Sequence, residues 1–148
     1  MFPPTGGEVP VKARIKLVEG VAWTATADSG HALVVDGSSE IGGQNLGPRP
    51  MELVLMGLGS CSAMDVITIL RKSRQDVTDC AIELEAERAD TVPKVFTRIH
   101  VRYVVTGRSL SPERVQRAVE LSAEKYCSVS MMLKATVAIT HDFVIVDG

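Results

Sequence analysis

Cys61 and Cys127 stand 66 residues apart, each in a setting suited to thiol chemistry. Cys61 lies within the uncharged run Leu53 to Met64, among the small residues Gly57, Gly59, Ser60, Ser62 and Ala63. Cys127 follows Glu124-Lys125-Tyr126 and precedes Ser128 and Ser130, a polar setting in which a thiol is reachable. A chain without an evident export signal keeps its thiols reduced, so the pair points to redox chemistry more readily than to a structural staple. The plainer alternative for Cys61 is a small buried hydrophobe. Against it, two glycines inside a helix cost on the order of 1 kcal/mol each relative to alanine, a cost that suggests close approach of another helix.

A mid-helix thiol in apolar surroundings has a raised pKa and needs a cation or hydrogen-bond donors to react as a thiolate. Glu52 is a polar group on the same helix, but nine residues at about 1.5 Å each put it roughly 13 Å from Cys61 along the axis. Two copies of the helix crossing antiparallel near Met56 or Gly57 bring Glu52 of one chain toward Cys61 of the other. The alternative for Glu52 is a solvated first-turn carboxylate. Cys80 shares a strand face with Ile82 and Leu84 and reads as core, as does Trp23. Asp65 reads as a hydrogen-bonded structural group. His31, His100 and His141 are isolated, and the cysteines form no Cys-x-x-Cys, so no metal site is expected.

These residues need elements to carry them. Met1 to Pro10, with three prolines and two glycines, reads as a mobile leader, and residues 11–148 as a single domain. Val11, Ala13, Ile15 and Leu17 alternate with Lys12, Arg14 and Lys16, the period of a strand with one wet face. Strands near Val21 to Ala25 and His31 to Val35 complete a small antiparallel meander. A glycine-rich loop from Gly37 to Arg49 delivers the chain to a helix with Pro50 at N1 and Glu52 in the first turn. Apolar residues run nearly all round this helix, from Met51 to about Arg74, which predicts burial on every side by the sheet or by a second subunit. Alternation over Cys80 to Glu87 and Val95 to Tyr103 predicts a hairpin, Ser111-Pro112 opens a second helix to Tyr126, Met131 to Ala135 forms a short turn, and Thr136 to Val146 is a last strand.

Composition narrows the partners. With 16 basic and 18 acidic residues the net charge is -2, which gives no general attraction to nucleic acid or anionic lipid. The uncharged run of twelve residues is short of the roughly 18 needed to cross a bilayer. A cytoplasmic protein with a small neutral or apolar substrate is expected, and neither nucleic-acid nor membrane partners.

Pro50-Met51-Glu52, the Gly59-Ser60-Cys61-Ser62 segment in an apolar helix, and Glu124-Lys125-Tyr126-Cys127-Ser128 together resemble the OsmC/Ohr family of organic hydroperoxide resistance and osmotically induced proteins, in particular its YhfA-like branch. The likeness extends over about Val11 to Val146. It implies an α+β fold in which two subunits intertwine, with antiparallel sheets wrapped around a central buried helix carrying Cys61 and two sites at the interface of a homodimer. It also implies a thiol peroxidase of oxidative-stress defence, using no cofactor. Cys61 attacks an alkyl or lipid hydroperoxide, Cys127 closes a disulfide with the resulting sulfenic acid, Glu52 assists, and a thiol or dithiol reductant restores the pair. One feature departs from the family: active members carry an arginine after the second strand, where this chain has Ala27-Asp28-Ser29-Gly30-His31. His31 and Arg49 are the candidates to replace it in binding substrate. A non-catalytic redox sensor or small-ligand-binding protein on the same fold is the competing expectation.

Overall fold

The computed structural model describes residues 10–148, so the expected leader lies outside the described residues except for Pro10. The chain gathers into two compact units, one ending at Val54 and the other running from Leu55 to Gly148.

In the first unit β1 (Ala13–Glu19), β2 (Ala22–Ala27) and β3 (Ala32–Val35) form the expected antiparallel meander. Pairing of Leu17 with Trp23, Trp23 with Val35 and Ala25 with Leu33 puts these side chains on one face with Ile15, because strand side chains alternate. That face is apolar yet open: Ile15 is 58 % exposed and Trp23 38 %. The expectation of Trp23 as core is therefore corrected, since within one chain its face of the sheet stays accessible.

Beyond β3 the buried Asp36 organises the glycine-rich loop. Its carboxylate accepts N–H bonds from Gly37 (2.7 Å), Gln44 (3.0 Å) and Leu46 (3.1 Å). Burial by itself raises this group's pKa, but the three backbone donors and nearby Arg49 outweigh it and hold the carboxyl below its ordinary value. The loop ends at α1 (Pro50–Lys72), where the Glu52 carboxylate accepts the N–H of Arg49 at 2.9 Å and caps the helix start.

The second unit is built on β4 (Asp76–Arg88), β5 (Phe96–Arg108) and β6 (Ala138–Asp147), in the order β4-β5-β6. The β4–β5 pair is the expected hairpin. Strand β6 lies parallel to β5, which requires a crossover, and helices supply it. Helix α2 (Pro112–Leu121) starts at Ser111, whose Oγ accepts the N–H of Arg114. It passes into a π-helical turn (Ser122–Tyr126) and then into α3 (Ser128–Leu133).

One side of the sheet carries Ile99, Val101, Tyr103 and Val105, all buried, opposite Ala86, Leu84, Ile82 and Cys80 on β4. Cys80 is half-buried on this face. Leu58, Val66 and Leu70 of α1 are buried, each contributing roughly 1.5–3 kcal/mol. Gly59 is needed there: a Cβ on it would come within 2.7 Å of Leu84 Cδ1. The opposite side of α1 is open, with Met56 56 % and Met64 71 % exposed and nothing within 4 Å of a Cβ at Gly57. Burial on every side, expected from the sequence, is thus realised along one face only in a single chain. By length and apolar composition α1 also passes for a membrane span, a property shared by core helices of this kind.

Candidate active site

Helix α1 and the turn after α2 meet at the two cysteines. The sulfurs of Cys61 and Cys127 and a carboxylate oxygen of Asp65 all lie within 4.8 Å of one another. Asp65 follows Cys61 by four residues, one helical turn, so both side chains project from the same stripe of α1. Cys127 arrives from the π-helical turn, closed by the Cys127 N–H to Ser122 carbonyl bond of 2.9 Å. The extra residue in that turn rotates Cys127 out of the α-helical path, and such turns occur often at functional sites.

The two sulfurs sit in different environments. Cys61 is half-buried and Cys127 has no exposed surface, which corrects the expectation that Cys127 is the reachable thiol. Ser62 Oγ donates to Cys127 Sγ at 3.3 Å, and the N–H of Ser130 donates to it at 3.4 Å. Burial pushes the Cys127 thiol up. The donors pull it down, and the neighbouring Cys61 sulfur raises it again, leaving it above its ordinary value. Cys127 thus holds its proton more tightly than an ordinary thiol does.

A polar cluster supports this corner. Ser122 Oγ, fully buried, donates to Asp65 Oδ2 at 3.1 Å. The Tyr103 hydroxyl lies by Ser62 and Ser122, and burial raises its pKa, so it stays a phenol. Among the described residues Asp65 forms no ion pair. It does border a groove of about 680 Å³ lined also by Met64, Thr68, Ile69, Lys72, Leu121 and Tyr126.

The remaining sequence candidates belong to the first unit. Glu52 caps α1 as described. His31 is exposed, 3.4 Å from Ser29 Oγ, and the Arg49 guanidinium donates to Asn45 Oδ1 (2.6 Å) and the Gly47 carbonyl (3.1 Å). Sequence reasoning missed Ser62, Ser122 and Tyr103, and it saw Asp65 as structural only. The four-residue step from Cys61 to Asp65 was the available signal. Nothing local marks Ser122 or Tyr103.

The family model for OsmC-like proteins matches residues 42–142, which hold both cysteines and all their polar neighbours. The chain belongs to the OsmC family. Within it, this OsmC-family chain is 48 % identical to Protein YhfA of Escherichia coli K12 over 136 residues, covering 92 % of this chain and 98 % of YhfA. A hypothetical protein from Aquifex aeolicus VF5 superposes with a TM-score of 0.84 at 30 % identity, over 95 % of this chain and 99 % of that one. The organic hydroperoxide resistance protein OhrB of Bacillus subtilis shares the OsmC fold at a TM-score of 0.63 and 20 % identity, over 92 % and 98 % of the two chains. The expected α+β OsmC-like fold is thereby established for this chain, its second sheet being mixed rather than wholly antiparallel.

Proposed function

We propose that this OsmC-family protein is a cytoplasmic thiol peroxidase that reduces organic hydroperoxides. The observation carrying the reading is the proximity of two sulfurs from distant stretches of chain, one accessible and one buried. Cys61, the accessible one, attacks the terminal oxygen of the hydroperoxide. The O–O bond breaks, the alkoxide leaves and is protonated to the alcohol, and Cys61 becomes a sulfenic acid. Cys127 then attacks the Cys61 sulfur, water leaves, and a disulfide remains. A thiol or dithiol reductant returns two electrons and two protons. The sulfurs must close from within 4.8 Å to about 2.05 Å for that bond. The naming of the B. subtilis neighbour for organic hydroperoxide resistance is consistent with this chemistry.

In this reading the protein works as a homodimer. The open side of α1 at Met56, Gly57 and Met64 and the open apolar face carrying Ile15, Leu17 and Trp23 are surfaces for a second copy to cover. Crossing of two α1 helices near Gly57 brings Glu52 of the partner subunit toward Cys61. Residues 11–148 then act as one domain completed by its twin.

One observation favours the competing reading, a redox sensor or small-ligand-binding protein with slow turnover. Asp65 puts a carboxylate within 4.8 Å of the sulfurs, and among the described residues no cation pairs with it there. Cumene hydroperoxide consumption with dithiothreitol decides between them. Rapid consumption abolished by Cys61→Ser supports the peroxidase, whereas equal slow consumption by wild type, Cys61→Ser and Cys127→Ser leaves the sensor.

A further inference from the structure

We infer that the reduced form of this site, Cys61, Cys127 and Asp65, is a binding site for a thiophilic divalent cation such as Zn²⁺, and that metal binding and disulfide formation exclude one another. The inference uses the same sulfurs as the peroxidase reading but does not depend on turnover.

The donor set and its spacing carry it. Two sulfurs and one carboxylate oxygen lie within 4.8 Å of one another, and among the described residues this is the one cluster of cysteine, histidine and carboxylate side chains so arranged. A tetrahedral zinc ion with Zn–S bonds of about 2.3 Å and Zn–O bonds near 2.0–2.2 Å needs its ligand atoms somewhat under 4 Å apart. The side chains therefore contract by about 1 Å at most. Cys61 and Asp65, four residues apart on a helix, form a natural chelating pair, and Cys127 closes the triangle from a second element.

Two of the three ligands are already oriented by other residues. Ser122 Oγ holds Asp65 at 3.1 Å, while Ser62 Oγ and the Ser130 N–H hold the Cys127 sulfur at 3.3 and 3.4 Å. The groove bordered by Asp65 opens this ligand to solvent. Electrostatics adds a reason. Among the described residues no lysine, arginine or histidine pairs with Asp65, so a dithiolate here collects negative charge that a cation would neutralise. Two thiolates select Zn²⁺ over Mg²⁺ or Ca²⁺, which prefer all-oxygen shells.

Binding replaces two S–H protons by two metal–sulfur bonds and releases both protons, with no change of oxidation state. A sulfur pair held by zinc has no thiol free to meet peroxide, and a disulfide has no thiolate to offer the metal. The chemistry thus provides a reversible block on oxidation of Cys61.

The test titrates the fully reduced, metal-free protein anaerobically with Zn²⁺ by calorimetry, and with Co²⁺ for the thiolate-to-cobalt charge-transfer band. One metal per chain is expected, with the charge-transfer band present and with a binding heat that varies with the buffer's ionisation enthalpy, the signature of proton release. Protein oxidised beforehand to the Cys61–Cys127 disulfide binds at least a hundredfold more weakly, and Asp65→Asn loses about tenfold or more, in line with the loss of a ligating or orienting group. Absence of stoichiometric binding to the reduced wild type overturns the inference. Equal affinity for the reduced protein, Cys61→Ser and Cys127→Ser does the same and requires no folded Asp65 variant. Peroxide consumption by the metal-free protein, measured separately, keeps failure of the peroxidase reading distinct from failure of this one.

Discussion

The hydroxyl of Ser62 donates a 3.3 Å hydrogen bond to the sulfur of Cys127, joining the middle of α1 to a turn 65 residues later. Both groups are buried, so this bond helps fix where the Cys127 sulfur points. Replacing Ser62 with alanine removes an interaction of about 0.5–1.5 kcal/mol. Ser62→Ala is expected to lower the melting temperature slightly and to slow closure of the disulfide. A longer-lived sulfenic acid at Cys61, trapped by dimedone and read by mass spectrometry, is the direct signature. Unchanged trapping relative to wild type would mean that the bond does not orient Cys127 for the reaction.

Alkaline pH separates the reduced from the oxidised protein. Burial raises the Cys127 thiol above its ordinary value of 9.0, so the folded state holds the proton more tightly than the unfolded chain. That contribution is fully present below pH 9.0 and is lost as pH rises through the folded-state pKa. Cys80, raised by burial and then by Asp79, acts in the same sense, and Tyr103 follows from 10.0 upward. Thermal melts between pH 8 and 10.5 should therefore show the reduced protein losing stability more steeply than the disulfide form, in which Cys127 no longer titrates. Parallel pH profiles for the two forms would contradict the assignment.

At acid pH Asp36 contributes in the opposite sense. Its carboxyl is held below the ordinary 3.8 by the N–H groups of Gln44, Leu46 and Gly37 and by Arg49, with burial opposing them. Its contribution is present above pH 3.8 and disappears as pH falls through the lower folded-state value. Asp36→Asn keeps the shape but lacks the charge and one acceptor oxygen. Faster proteolysis between Gly37 and Arg49 at neutral pH is the expected result, with a flatter acid melt than wild type.

Two glycines two residues apart on the same helix, and so on opposite faces of it, should respond in opposite ways. Gly59 faces Leu84, and an added Cβ meets Leu84 Cδ1 at 2.7 Å, so Gly59→Val is expected to overpack the single chain by about 1–3 kcal/mol. Gly57 has open space around it, so Gly57→Leu should leave the secondary structure intact and instead disrupt the proposed helix crossing between subunits. Sedimentation equilibrium reads this as a dimer converted to monomer. A variant at Gly57 that sediments with the same mass as wild type would rule out a crossing at that position.

Much of this architecture was legible in the order of residue types. Alternation of apolar and charged residues marks β1, β4 and β5 because a strand presents successive side chains to opposite faces. Pro50 and Ser111-Pro112 mark helix starts because an N1 proline gives up an N–H that has no partner there. Cys61 and Cys127 stood out by their surroundings, and the resemblance they carried named the right family. Other features could not be read locally. The parallel pairing of β6, the burial of Cys127 and the joining of Tyr103, Ser62 and Ser122 all depend on contacts between segments far apart along the chain. Periodicity reports which face of an element is apolar, but it carries no record of what lies against that face. For that reason the sequence determined the elements and the two thiols, while only the tertiary structure decided which thiol is buried, that Asp65 lies beside both sulfurs, and that one side of α1 is left open.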